Sequence, residues 1–287
     1  MTDRSTPVAG LLLRSLVYAT AFVATYLVMV RLAPGQRLDD LAFEGRKAVR
    51  LDLRRATTAV MGTITPLLLA GGGIGAVALA IRQRRWRIAA LLAFTVGGTV
   101  LSARLLKSGL QRTDNLAFSY ATTANTFPSG HAATIMGLAL TGIALCPARL
   151  RRRVVMWAVA AVVVDVSALV GSGWHRPSDV VGGLLLAAAF VPLGVALFGA
   201  DLVTGPDPGS APGEVDAGPP PARMLVVVAV GTLVSLLLAL TATSDPAHPL
   251  YAFAVAALLV NLLAALTVWI HLRQMDACSE MDDVART

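Results

Sequence analysis

Charge is scarce in this chain. Only 14% of its 287 residues are Asp, Glu, Lys or Arg, while 56% are hydrophobic. A soluble domain of that length needs far more polar surface, so that class is excluded. Cysteine is scarcer still, with Cys146 and Cys278 alone. Two cysteines build no disulfide framework, no metal-ligand spacing appears, and no cofactor or metal is expected. The net charge of +7 raises nucleic acid as a partner. The arginines argue against it: they gather in short loops between apolar runs, where positive charge orients a membrane protein.

Those apolar runs define the fold class. The composition and windows of roughly 20 apolar residues predict an all-α, polytopic membrane bundle. Eight spans are expected, near 8–32, 57–81, 88–106, 129–147, 154–173, 180–199, 224–241 and 250–271. The first is too long for a signal-peptide core of roughly 7–15 residues. The region 204–222 is rich in Pro and Gly and reads as a disordered or extended linker. It divides a six-span unit (1–203) from a two-span hairpin with a short polar tail (223–287). Gly71–Gly75, Gly97-Gly98 and Gly182-Gly183 are expected to let helices approach closely.

Two loops are strongly basic, Arg82–Arg87 and Arg149–Arg153, and both are expected on the cytoplasmic side. That choice places both termini in the cytoplasm of a multi-pass cell-membrane protein. It brings loops 33–56, 107–128, 174–179 and 242–249 to the extracytoplasmic rim. Segment 33–56 carries six basic residues against this topology, offset by Asp39, Asp40, Glu44 and Asp52. It reads either as a short amphipathic helix on the membrane surface or as a solvated connector.

Three segments at that rim carry chemistry. Phe127-Pro128-Ser129-Gly130-His131 stands where a loop becomes a helix, and exposed N–H groups at such a start attract anions. Ser129 and Gly130 can present a hydroxyl and an open amide to phosphate, and His131 can give a proton to a leaving oxygen. In His175-Arg176-Pro177-Ser178-Asp179, the spacing of four sets Asp179 near His175. A carboxylate on Nδ1 leaves Nε2 free as a nucleophile, which points to a phosphohistidine. Lys107 ends the third span, with Arg112 beyond it and Arg104 one turn deeper on the same face. Arg104, inside a span, has two readings: a pair with Asp165, or a contact to the substrate phosphate. His248 and His271 lack such partners and are expected at the interface.

On these residues the chain resembles the type 2 phosphatidic acid phosphatase superfamily of lipid phosphate phosphatases. Its second motif is present as Pro128-Ser129-Gly130-His131, and the end of its third as His175 and Asp179. The resemblance implies a six-helix phosphatase-like core, His175 as nucleophile held by Asp179, and His131 as general acid. It implies phosphate binding by Lys107, Ser129 and Gly130. The first motif's Arg-Pro would fall at 114–115, where Asp114 and Asn115 stand. The third motif's Ser-Arg would fall at 168–169, where Ala168 and Leu169 stand. Arg112, Arg104 and Arg176 are the candidate substitutes. The expected activity is hydrolysis of a membrane lipid phosphate: a polyprenyl diphosphate, phosphatidate or phosphatidylglycerophosphate. Transfer to another acceptor, or non-catalytic lipid binding on the same scaffold, are the alternatives. Neither the lipid nor the oligomeric state is written in the sequence.

Overall fold

The computed structural model describes residues 5–48, 51–112, 125–146, 148–199 and 247–284. Helix α1 (Ser5–Thr25) runs on through π-helical turns Tyr26–Arg31 into a short α2 (Ala33–Glu44). A 3-10 turn, Gly45–Ala48, ends that segment. Helix α3 (Leu51–Leu68) passes through π turns Leu69–Ile74 into α4 (Gly75–Arg82), and α5 (Trp86–Leu92) passes through Ala93–Gly98 into α6 (Thr99–Gly109). Then come α7 (Gly130–Leu145), α8 (Ala148–Ser172), α9 (Pro177–Phe198) and α10 (Ala247–Val284). No strand occurs among the described residues.

Five helices are long and apolar enough to cross a membrane: Val8–Arg31, Trp86–Gly109, Arg153–Ser172, Pro177–Phe198 and Tyr251–Arg273. They match five of the eight expected spans. The expected span 224–241 and the linker 204–222 lie outside the described residues. The other two differ from expectation. The run 57–81 is helical throughout, α3 passing through the π turns Leu69–Ile74 into α4, and its stretch Gly71–Arg82 is a short apolar helix. The run 129–147 yields the 16 residues Gly130–Leu145, about 24 Å at 1.5 Å per residue. It stops at Cys146, extended at φ −79°, ψ 134°, because the following Pro147 disfavours a helical residue before it.

The centre of the bundle is α9. Its apolar window is 72% buried, against 17% for α1, which therefore presents most of its surface outward. Helices α1, α7 and α8 pack around α9, and α10 lies against α8, α7 and α2. Glycines make the α7–α9 contact close. A Cβ at Gly182 would run into the Phe127 ring, and one at Gly183 into the Ser129 carbonyl. Gly71, in contrast, faces open space. Several polar groups between helices pair across the bundle. Ser15 Oγ donates to Ala189 O (2.8 Å) and Thr141 Oγ1 to Thr95 Oγ1 (2.9 Å). His271, expected at the interface, is instead buried, with Nε2 3.0 Å from Leu140 O.

In segment 33–44 the expected short helix is present as α2, packed against α10 and the turns before it rather than solvated as a connector. It folds back on the turns before it, so closely that a Cβ at Gly35 would strike the Val28 carbonyl. At its far end Gly45 abuts Pro249 and Phe253 of α10. Asp39 is buried as a result.

Candidate active site at the helix termini

The site forms where two helices start and two end. Helix α8 stops at Ser172 because Gly173 takes φ +75°, a left-handed conformation that other residues adopt at a cost. The N–H groups of Trp174 and His175 then fold back on Leu169 O, at 3.2 and 3.4 Å. Arg176 is extended, and Pro177 opens α9, where a missing N–H costs nothing. Asp179 falls in the first turn and accepts a hydrogen bond from the Arg176 N–H (3.1 Å). This chain path sets His175 Nδ1 3.4 Å from Asp179 Oδ2. With its proton on Nδ1 the imidazole donates to the carboxylate, and Nε2 keeps its lone pair.

The second motif is tied to the same point. Ser129 caps α7, its Oγ accepting from the Ala132 N–H (3.3 Å). Its own N–H donates to Asp179 O (2.8 Å), which locks the two helix starts together. A Cβ at Gly130 would meet nothing within 4 Å, so that backbone faces open space. The His131 ring lies 6.4 Å from the His175 ring and packs edge-on against Trp174 at 4.9 Å. Phe127 anchors the segment, fully buried beside Phe22 and Tyr26 at 5.2 and 5.7 Å. Asn125 staples it to the end of α6, donating to Lys107 O (3.2 Å) and Leu110 O (2.9 Å).

The basic residues divide. Lys107, half-buried at the end of α6, acts electrostatically on both Asp179 and His131. Arg112 enters the site: its Nη2 donates to Asp179 Oδ1 at 2.9 Å, while its Nε is buried with no hydrogen-bond partner. Arg104 is exposed, one position from the buried Ala103. The expected alternative, a pair with Asp165, is absent: Asp165 Oδ2 is buried without a partner. Thus Lys107, Arg112, Ser129, Gly130, His131, His175 and Asp179 come together at one end of the bundle, and Arg104 stands apart.

Four residues of this cluster were not read from the sequence. Thr126 Oγ1 donates to Asp179 Oδ2 at 2.6 Å. Trp174 forms the wall behind His131. Asp39, from α2, accepts from the Ser178 N–H (2.9 Å) and Oγ (2.6 Å) and lies 3.5 Å from Arg112 Nη1. Asp40 pairs with Arg176 Nε at 2.8 Å. Burial pushes the Asp39 carboxyl up to about 6, helped by the neighbouring Asp179 and opposed by Ser178 and Arg112. The adjacent acids on an amphipathic segment were the only signal, and no spacing links them to residues some 140 positions away. Among the described residues, no group of three or more His, Cys, Asp or Glu side chains is placed to hold a metal ion.

The segment that supplies these termini has a family. Residues 108–201 match the PAP2 superfamily. The resemblance read from Pro128-Ser129-Gly130-His131, His175 and Asp179 is therefore shown over this stretch, which also includes Arg112. Members of the superfamily are generally phosphatases acting on lipid-like phosphates, and the five apolar helices fit a membrane protein. No curated protein and no solved structure matches the chain. Lys107 and helices α1, α2 and α10 lie outside the matched residues.

Proposed function

We propose that this chain is an integral membrane phosphatase that hydrolyses a lipid phosphate or diphosphate at the extracytoplasmic face, through a phosphohistidine on His175. The observation that carries the reading is the pairing of His175 with Asp179 while the His131 ring stands 6.4 Å away. A phosphoryl group held between the two rings would have the nucleophile on one side and the proton carrier on the other. Nε2 of His175 attacks phosphorus, and the bond from phosphorus to the leaving oxygen breaks. His131, protonated once the negative phosphate lies beside it, gives its proton to that oxygen, which departs as an alcohol or a phosphate. Water then attacks phosphorus with neutral His131 taking its proton, the P–N bond breaks, and inorganic phosphate leaves. Lys107, the open Gly130 backbone and the Arg112 Nε–H supply positive charge and donors for the phosphoryl oxygens. No metal takes part in this scheme.

The test is purified full-length protein assayed on phosphatidate, phosphatidylglycerophosphate and a polyprenyl diphosphate, with His175→Ala beside it. Phosphate release from one of these, a base-stable, acid-labile phosphoenzyme, and loss of both in His175→Ala are expected. Full activity in His175→Ala sinks the mechanism, and inactivity on the whole panel sinks the function.

A further inference from the structure

Helix α2 brings two carboxylates to the cations of this site. Asp40 takes Arg176, and Asp39 shares Arg112 with Asp179. Lys107, Arg112 and Arg176 thus face Asp39, Asp40 and Asp179. These three cations already face carboxylates before any substrate arrives. Asp39 is moreover held in the manner of a bound oxyanion. Its donors are a backbone N–H in the first turn of the 22-residue α9, the Ser178 hydroxyl and a guanidinium, and its side chain is fully buried. Those are the donor types that hold phosphate.

On the phosphatase reading above, we propose that Asp39 is an internal anion that competes with the substrate phosphate for Arg112, so that α2 sets the site's affinity for phosphate. A phosphate that engages Arg112 meets a carboxylate already on each of its Nη groups, and Nε is the one guanidinium nitrogen with no partner. Removing the charge of Asp39 releases Nη1 and takes away a repulsion. The charged groups on and around α2 are Arg31 at the end of the π turns Tyr26–Arg31, Arg37 and Asp40 on α2, Glu44, Arg46 and Lys47 at its end, Arg112, and Arg176 and Asp179 at α9. The strongest charges on Asp39 are Asp179 and Arg112. Because the Asp39 carboxyl sits at about 6, the competition is present above that pH and relaxes below it.

The experiment is isothermal titration of the purified full-length protein with inorganic phosphate at pH 5 and pH 7.5. At pH 7.5, Asp39→Asn should bind phosphate about tenfold more tightly than the parent, the size of one charge-assisted contact. At pH 5 the difference should shrink to less than about threefold, because the parent carboxyl is then mostly protonated. Ser178→Ala takes a competing donor off the Asp39 oxygen that meets Arg112, so it should leave Asp39 leaning harder on Arg112 and weaken phosphate binding by a smaller factor. It serves where Asp39→Asn fails to fold. Asp39→Asn with Arg112→Gln should lose the gain. Unchanged or weaker phosphate binding in Asp39→Asn, or unchanged or tighter binding in Ser178→Ala, overturns the proposal and leaves Asp39 as a support for α9. The readout needs no turnover, so an inactive parent that still gains phosphate affinity on Asp39→Asn would fail the phosphatase reading alone.

Discussion

His175 and His131 are alike as side chains and differ by surroundings. His175 is buried and faces Asp179, whereas His131 is partly open and has Trp174 and His175 beside it. An orienting carboxylate marks the nucleophile, and its absence marks the proton carrier. His175→Ala should therefore abolish turnover of every substrate. His131→Ala should slow an alkyl phosphate by about 10²–10⁴-fold yet spare much of the rate on a p-nitrophenyl ester, whose leaving group needs no proton. Equal losses on both substrates would remove His131 from the general-acid role. Asp39 adds a stability signature. Its carboxyl is raised from 3.8 to about 6 in the fold, mainly by burial, so the folded state holds a proton that the unfolded chain has released. Its contribution is intact below about pH 4 and is lost as pH rises through about 6, a change of about 3 kcal/mol at roughly 1.4 kcal/mol per unit. Denaturation of the parent and of Asp39→Asn across pH 4–7 should show the parent losing ground by that order. Parallel curves would place the Asp39 carboxyl at its ordinary value.

At the scale of the element, the site is a product of helix ends. Gly173 is the pivot that turns the chain from α8 to α9 and aims His175. Gly173→Ala should cost about 1–2 kcal/mol through the left-handed backbone alone. The added Cβ also meets the Arg46 side chain. A lowered Tm with a lowered kcat is expected, and a kcat unchanged at permissive temperature would show that the turn does not aim the histidine. These ends were legible because their residues have local meanings. The segment Phe127–His131 reads as a loop becoming a helix, and a spacing of four from His175 brings Asp179 back beside it once a helix starts between them. What was not legible depends on long-range packing. The π turns at Leu69–Ile74 have the same apolar composition as the helix expected there, so no hydropathy window registers them. Asp39 and Asp40 gain their role only when α2 folds back beneath α10, and amphipathicity alone left them on a surface. Arg104 was placed by helical periodicity on the face of Lys107, yet it is exposed while Lys107 is half-buried beside the site.

For the whole molecule, the question is which side of the membrane the site faces. Lys107, Arg112, His131, His175 and α2 share one end of the bundle, as four independent helix termini must if the alternation of spans is right. The opposite end carries the turn Gln83–Arg85, between Arg82 and Trp86-Arg87, and the start of α8 with Arg149–Arg153. Translocating two such arginine clusters is disfavoured, so that end is expected in the cytoplasm and the site outside. The basic residues of 33–56 oppose this, but several are engaged locally: Arg46 with the Phe43 carbonyl and ring, Lys47 with Glu44, Arg54 with the Ser172 carbonyl. Their count therefore overstates the free charge on that segment. Single cysteines in a background without Cys146 and Cys278 decide the orientation. Tyr120→Cys should react with an impermeant maleimide in intact cells, and Arg85→Cys only after the membrane is opened. The reverse pattern would put the phosphatase site in the cytoplasm, where its lipid phosphates would have to come from the inner leaflet, and the arginines of 33–56 would then have outweighed both basic clusters.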